Sequence, residues 1–193
     1  MNKPRDLVNP KDQRMGPNCG VTSVAIATGI TFNRSWNLHK KIGNYNNNWK
    51  GSTHDHERKA VLQKLKIKYE CYDYYTKLYI NGVYKENDNI PFDIFPITLQ
   101  NYVKWNCDMI STYIISTTRH TQVVKNGWAI DQVGAKPICY FWGKNKKVKS
   151  VIKILSKDSK NQGTITSKTY LQALSDDLNG FLSQTQAHRG FCG

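Results

Sequence analysis

Asn126-Gly127 separates two short runs, His120–Val124 and Trp128–Val133, that read as strands. Between such runs Asn-Gly is the strongest short-range signal for a two-residue hairpin, because both turn residues must adopt positive φ. Antiparallel pairing across it carries residue 131 back toward the strand that begins at residue 120. A second Asn-Gly, Asn81-Gly82, marks another hairpin inside the aromatic and β-branched segment Ile67–Tyr84. Further strands are expected at Met109–Ser116, Pro137–Trp142 and Val148–Leu155, the last two joined around Gly143-Lys144-Asn145.

Helical signals come earlier. Cys19-Gly20-Val21-Thr22-Ser23-Val24-Ala25-Ile26-Ala27-Thr28-Gly29 is small and apolar, and reads as a buried helix that starts near Cys19 and stops at Gly29. A short helix is expected around Trp36–Ile42. A third is capped by Thr53, with Ala60, Val61, Leu62 and Leu65 inward, and a fourth runs from Thr98 through Trp105. Helices early and strands late describe an α+β chain, with N-terminal helices packed on a C-terminal antiparallel sheet, rather than βαβ winding. The 193 residues suit one domain, expected over 1–156, with a C-terminal extension over 157–193. In that extension Tyr170, Leu171, Leu174, Leu178, Phe181 and Leu182 recur at helical spacing, so an amphipathic helix is expected at about 168–183.

Composition narrows the classes. No apolar run approaches the roughly 18–20 residues of a membrane span, and the polar start lacks the apolar stretch of a secretory signal. Five widely spaced cysteines form no CxxC pair, so neither a zinc ribbon nor a disulfide framework is indicated, and a cytoplasmic location is expected. Cys71, Cys107 and Cys139 have apolar and aromatic neighbours and read as packing residues. His54 and His56 lack a third ligand and diverge on a helix, so neither metal nor cofactor is expected. The net charge of +14 and the lysines between 144 and 160 leave nucleic acid open as a partner of a basic face. No groove-reading motif accompanies them, and a solvated face is the reading preferred.

Chemistry concentrates in three places. Gln13-Arg14-Met15-Gly16-Pro17-Asn18-Cys19-Gly20 puts a thiol at a helix start, where the helix dipole and a nearby imidazolium would favour the thiolate. Gln13 lies in a Pro/Gly-rich arm that can fold back, and its amide could join the Cys19 backbone N–H around an oxyanion. His120 opens a strand, a fixed place from which to aim an imidazole. Asp131, across the Asn126-Gly127 turn, can orient that ring and stabilise its charged form.

The order Gln13, Cys19, His120, Asp131 resembles that of papain-like cysteine peptidases. Cys19-Gly20 followed by Ser23 is closer to the peptidase family C39 branch than to papain, and the His120–Asp131 hairpin is similar to that of small papain-like peptidases of tailed bacteriophages. The resemblance covers roughly residues 10–135. It implies Cys19 as nucleophile, His120 as general base and acid, Asp131 as orienting residue and Gln13 as oxyanion-hole side chain. It implies a thiol endopeptidase acting on a protein or peptide, with a phage structural protein among the candidate substrates and, for a phage-encoded chain, the host cytoplasm or the virion as its location. The papain aromatic after the nucleophile is missing, and nothing in the tail is matched. Peptidoglycan amidase, transamidase and deubiquitinase-like activities share the same triad, and a non-enzymatic basic module binding nucleic acid is the rival of another class.

Overall fold

The structure, a computed structural model, describes residues 3–74, 77–80, 83–86 and 97–155. These residues fall in one compact unit, Met1–Ser156. The expected extension at 157–193, its helix at about 168–183, and Cys192 lie outside the described residues.

Among the described residues, four helices and eight strands alternate in blocks: α1 (Cys19–Thr28), α2 (Phe32–Ile42), α3 (Asp55–Lys64), β1 (Tyr69–Asp73), β2 (Lys77–Ile80), β3 (Val83–Glu86), α4 (Leu99–Asn106), β4 (Thr112–Thr117), β5 (His120–Lys125), β6 (Trp128–Asp131), β7 (Gly134–Pro137) and β8 (Val148–Ile154). The fold is α+β. Six strands form an antiparallel sheet in the order β1-β8-β4-β5-β6-β7, and β2 and β3 form a separate antiparallel pair. Asn126 and Gly127 both have positive φ, 50° and 71°, as a two-residue hairpin turn demands.

Alternation along the strands divides the interior into two cores. Ile114, Val123, Ile130 and Ile152 face α1 and α3 through Val24, Ile26, Val61 and Leu62, with Leu38 and Ile42 of α2 packed alongside. Their neighbours Tyr113, Ile115, Val124, Ala129 and Val151 face the other way, onto Leu99, Tyr102 and Val103 of α4 and onto Phe141. Both faces of the central strands are therefore covered, and β4 is buried along its whole length.

Local expectations shift where distant residues intervene. α2 begins at Phe32, four residues before Trp36, because Thr31 caps it, its Oγ1 accepting the Arg34 N–H at 3.2 Å, and the Asp12 carboxylate accepts the Phe32 and Asn33 N–H groups at 2.8 Å each. α3 is capped by His54 rather than Thr53; Glu57 accepts the His54 N–H at 2.7 Å, while Thr53 Oγ1 accepts from Arg58. His54 and His56 do not diverge: with His54 outside the helix proper, their rings stack 5.6 Å apart. The expected strand Pro137–Trp142 is replaced by β7, which ends at Pro137, and a single 3₁₀ turn, Ile138–Tyr140. β8 pairs instead with β1 and β4. Cys71 and Cys139 are exposed, so only Cys107 packs against a core, where burial pushes its thiol up to about 12. Among the described residues no helix is long and apolar enough to cross a membrane.

Candidate active site

Cys19 is the first residue of α1, a helix whose positions 20 to 26 are all buried. The N-cap residue Asn18 does not cap with its side chain. Its amide instead donates to Arg14 O at 3.2 Å, and its Oδ1 accepts from Thr22 Oγ1 at 3.1 Å and from Gln132 Nε2. The Cys19 N–H is among the first-turn groups that have no acceptor within a helix. That leaves it free to face an incoming oxyanion.

His120 is the first residue of β5, and Asp131 is the last of β6. Continuing the β5–β6 register beyond Val123↔Ile130 puts the two side chains diagonally on one face. His120 Nε2 lies 3.1 Å from Asp131 Oδ2. His120 and Cys19 also shift each other's charge, and with Nε2 given to Asp131, Nδ1 is the nitrogen left to face the thiol. The fold thus assembles Cys19, His120 and Asp131 in sequence of contact.

The electrostatics follow from these contacts. Burial pushes the Cys19 thiol up, but the hydrogen bond and charge of His120, the Thr121 N–H and the Arg58 charge outweigh it and hold the thiol below its ordinary value. Burial also opposes charge on His120, yet the hydrogen bonds to Asp131 and Cys19 raise it above an ordinary imidazole. Asp131, 3% exposed, would be raised by burial, but donors from His120, Trp142 and Val133 lower it. Each shift favours the thiolate–imidazolium form.

Two partners of Asp131 escaped the sequence reading. Trp142 Nε1 donates to Asp131 Oδ2 at 3.0 Å, and the Val133 N–H donates to Oδ1 at 2.9 Å. The Trp142 ring also leans over His120, centroids 4.8 Å apart, and carries Lys146 Nζ 4.1 Å above it. Residue 142 was expected in a strand; the 3₁₀ turn after β7 redirects it, and no local pattern announces that. Arg58 and Thr121 were likewise missed, since neither lies near Cys19 in sequence.

Gln13 is brought beside the site by the folded arm. Its Nε2 donates to Gln132 O at 2.6 Å, next to Asp131, and its Oε1 is buried without a partner. Asn9 Nδ2 ties the same arm to Asp131 O at 2.9 Å. A carboxamide carries two N–H donors, so one Gln13 donor remains beyond the Gln132 bond.

Several lysines of the basic stretch have intramolecular partners: Lys146 on Trp142, Lys144 on Cys139 O at 2.7 Å, and Lys153 on Asp108 at 3.0 Å. Among the described residues no three His, Cys, Asp or Glu side chains gather as metal ligands. No protein-family model matches the chain, and no curated protein and no solved structure is significantly similar to it.

Proposed function

We propose that this chain is a thiol hydrolase of papain-like fold and, within that class, a cysteine endopeptidase with the triad Cys19, His120 and Asp131. The observation that supports this reading is the 3.1 Å hydrogen bond between His120 Nε2 and the buried Asp131 carboxylate, on an imidazole that in turn holds the Cys19 thiol below its ordinary value. A merely structural cysteine would gain nothing from an imidazole poised beside it and a carboxylate fixing that imidazole.

In this reading the Cys19 thiolate attacks the scissile carbonyl, forming a C–S bond as the carbonyl π electrons move onto oxygen. The oxyanion is held by the Cys19 N–H and by the remaining N–H of Gln13. His120 gives its Nδ1 proton to the leaving amine, and collapse of the intermediate leaves a thioester on Cys19. His120, now neutral, takes a proton from water as that water attacks the thioester; the acid departs and the thiolate–imidazolium pair is restored. Asp131 keeps Nε2 protonated throughout, and Trp142 and the Val133 N–H keep Asp131 ionised. Met15, Val133, Tyr140 and Trp142 are exposed apolar side chains on the segments that carry the site, a surface suited to polypeptide side chains.

The test is mass spectrometry after an electrophilic peptide probe, comparing wild type with Cys19→Ala. Labelling confined to Cys19 is expected, and labelling of another cysteine with Cys19 untouched overturns the site. Incubation with a protein library and with purified cell wall identifies the acyl group. Proteolysis supports the endopeptidase reading; cell-wall release without proteolysis replaces it with an amidase.

A further inference from the structure

A buried ion pair lies behind the first turn of α1, and none of the steps above uses it. Arg58, on α3, is 4% exposed. Its Nη1 donates to Thr53 O at 3.0 Å and Thr53 Oγ1 at 2.9 Å; its Nη2 donates to Ser116 Oγ at 3.0 Å and to Asp55 Oδ1. The Asp55 carboxylate accepts in turn from Ser116 Oγ at 3.1 Å and Ser150 Oγ at 2.6 Å, hydroxyls on β4 and β8. The anion is therefore anchored on the sheet.

The cation reaches the nucleophile's helix. A Cβ on Gly20 would lie 2.8 Å from Arg58 Nη1 and 3.3 Å from Arg58 Cδ, and would collide with Thr53 Oγ1. The missing side chain after Cys19 is what lets the guanidinium and its Thr53 support close on that turn. Ser116 also approaches Thr121 Oγ1 at 3.4 Å, and the Thr121 N–H helps hold the Cys19 thiol below its ordinary value. The ion pair thus stands as a dipole with its positive end beside the residue that follows Cys19. Burying such a pair rarely adds stability over a well-packed apolar replacement, so stability is a poor reason for its presence.

We propose that Arg58 is a positioning residue of the hydrolase: clamped by Thr53, Asp55 and Ser116 against Gly20, its buried charge stabilises the Cys19 thiolate independently of His120. The proposal rests on the reading of Cys19 as the nucleophile. The charged groups that face the thiol are His120 from β5, backed by Asp131 of β6, and Arg58 from α3, backed by Asp55. Burial raises the thiol, and Arg58 acts against it alongside His120 and the Thr121 N–H. Arg58 touches no substrate and moves no proton.

The experiment reads the pH midpoint of iodoacetamide alkylation at Cys19 by peptide mapping of the full chain, in wild type, Arg58→Lys and the double variant Asp55→Asn/Arg58→Met. The double variant removes both charges, so no lone carboxylate stays buried. Its midpoint is expected to rise by roughly half to one pH unit, which on the acid side is a fall of about three- to tenfold in alkylation rate. Arg58→Lys, which keeps the charge but not the fork, is expected to stay close to wild type. An unchanged midpoint in a double variant with native near-UV circular dichroism overturns the proposal. So does a lysine variant that moves as far as the neutral one. Should the double variant not fold, Asp55→Asn/Arg58→Gln replaces it with the same two outcomes. A wild-type midpoint at an ordinary thiol value, about 8.5, would instead overturn the thiol-hydrolase reading itself.

Discussion

Burial raises the Cys19 thiol, but His120, with the Thr121 N–H and Arg58, outweighs it and holds the thiol below its ordinary value, and Asp131 in turn raises His120. In the proposed reading Cys19→Ala removes the covalent nucleophile, at a partly buried position at a helix start. Turnover is expected to fall by several orders of magnitude with the circular dichroism spectrum unchanged; a loss of only a few-fold would assign the nucleophile elsewhere. His120 and Asp131 carry unequal weight. His120→Ala removes both the base and the thiolate's partner and should leave near-background activity. Asp131→Ala loses orientation and tautomer control and should cost no more than about 10⁴-fold. Steady-state kinetics on the two folded variants would show the order, and the reverse order requires other roles. The pH dependence follows from the directions of the shifts. Cys19 moves down from 9.0 and His120 moves up from 6.5, so the reactive pair forms below the ordinary thiol value and persists above the ordinary imidazole value. kcat/KM should be bell-shaped, with both limbs belonging to the pair. Asp131 raises His120, so Asp131→Asn should bring the alkaline limb down. A limb that stays in place would show that Asp131 does not support the imidazolium.

At the scale of elements, α1 and the β5–β6 hairpin do most of the positioning. α1 is buried nearly all round, which leaves it one seat against the sheet and fixes where its N-terminus points. The close packing of Thr53 and Arg58 on Gly20 adds a second constraint, between α1 and α3. Gly20→Ala is therefore expected to destabilise the fold by about 1–3 kcal/mol through overpacking, even though alanine is the better helix former. Thermal denaturation measures it; an unchanged or raised Tm would show that the two side chains move aside freely. The hairpin was legible because its turn dipeptide and its strand alternation are local features. The end of β6 was less so. Asp131 closes the strand two residues before the expected Val133, since Gln132 and Val133 turn the chain into β7, with Gly134 at φ 125°.

Among the described residues the six-stranded sheet lies between two apolar cores, and β4 supplies both. Ile114 faces α1 and α3, and Ile115 faces α4 and Phe141; both are at most 1% exposed. Ile114→Ala and Ile115→Ala should each cost about 2–5 kcal/mol in urea denaturation, because each leaves a cavity in a different core. A small effect at either position would mean that its core is loosely packed. The sequence by itself determined the α+β order, the α1 segment headed by Cys19, and the hairpin whose period places His120 and Asp131 on a common face. These depend on apolar spacing and turn residues within a few positions of each other. Tertiary structure alone decided that β1 pairs with β8, that Asp12 reaches the first turn of α2, that Gln13 reaches Gln132, that Trp142 meets Asp131 and that Arg58 meets Gly20. Each of these joins residues far apart in the chain. Their contacts form only once both cores have closed, and no short-range pattern encodes which distant partner the closed fold brings within reach.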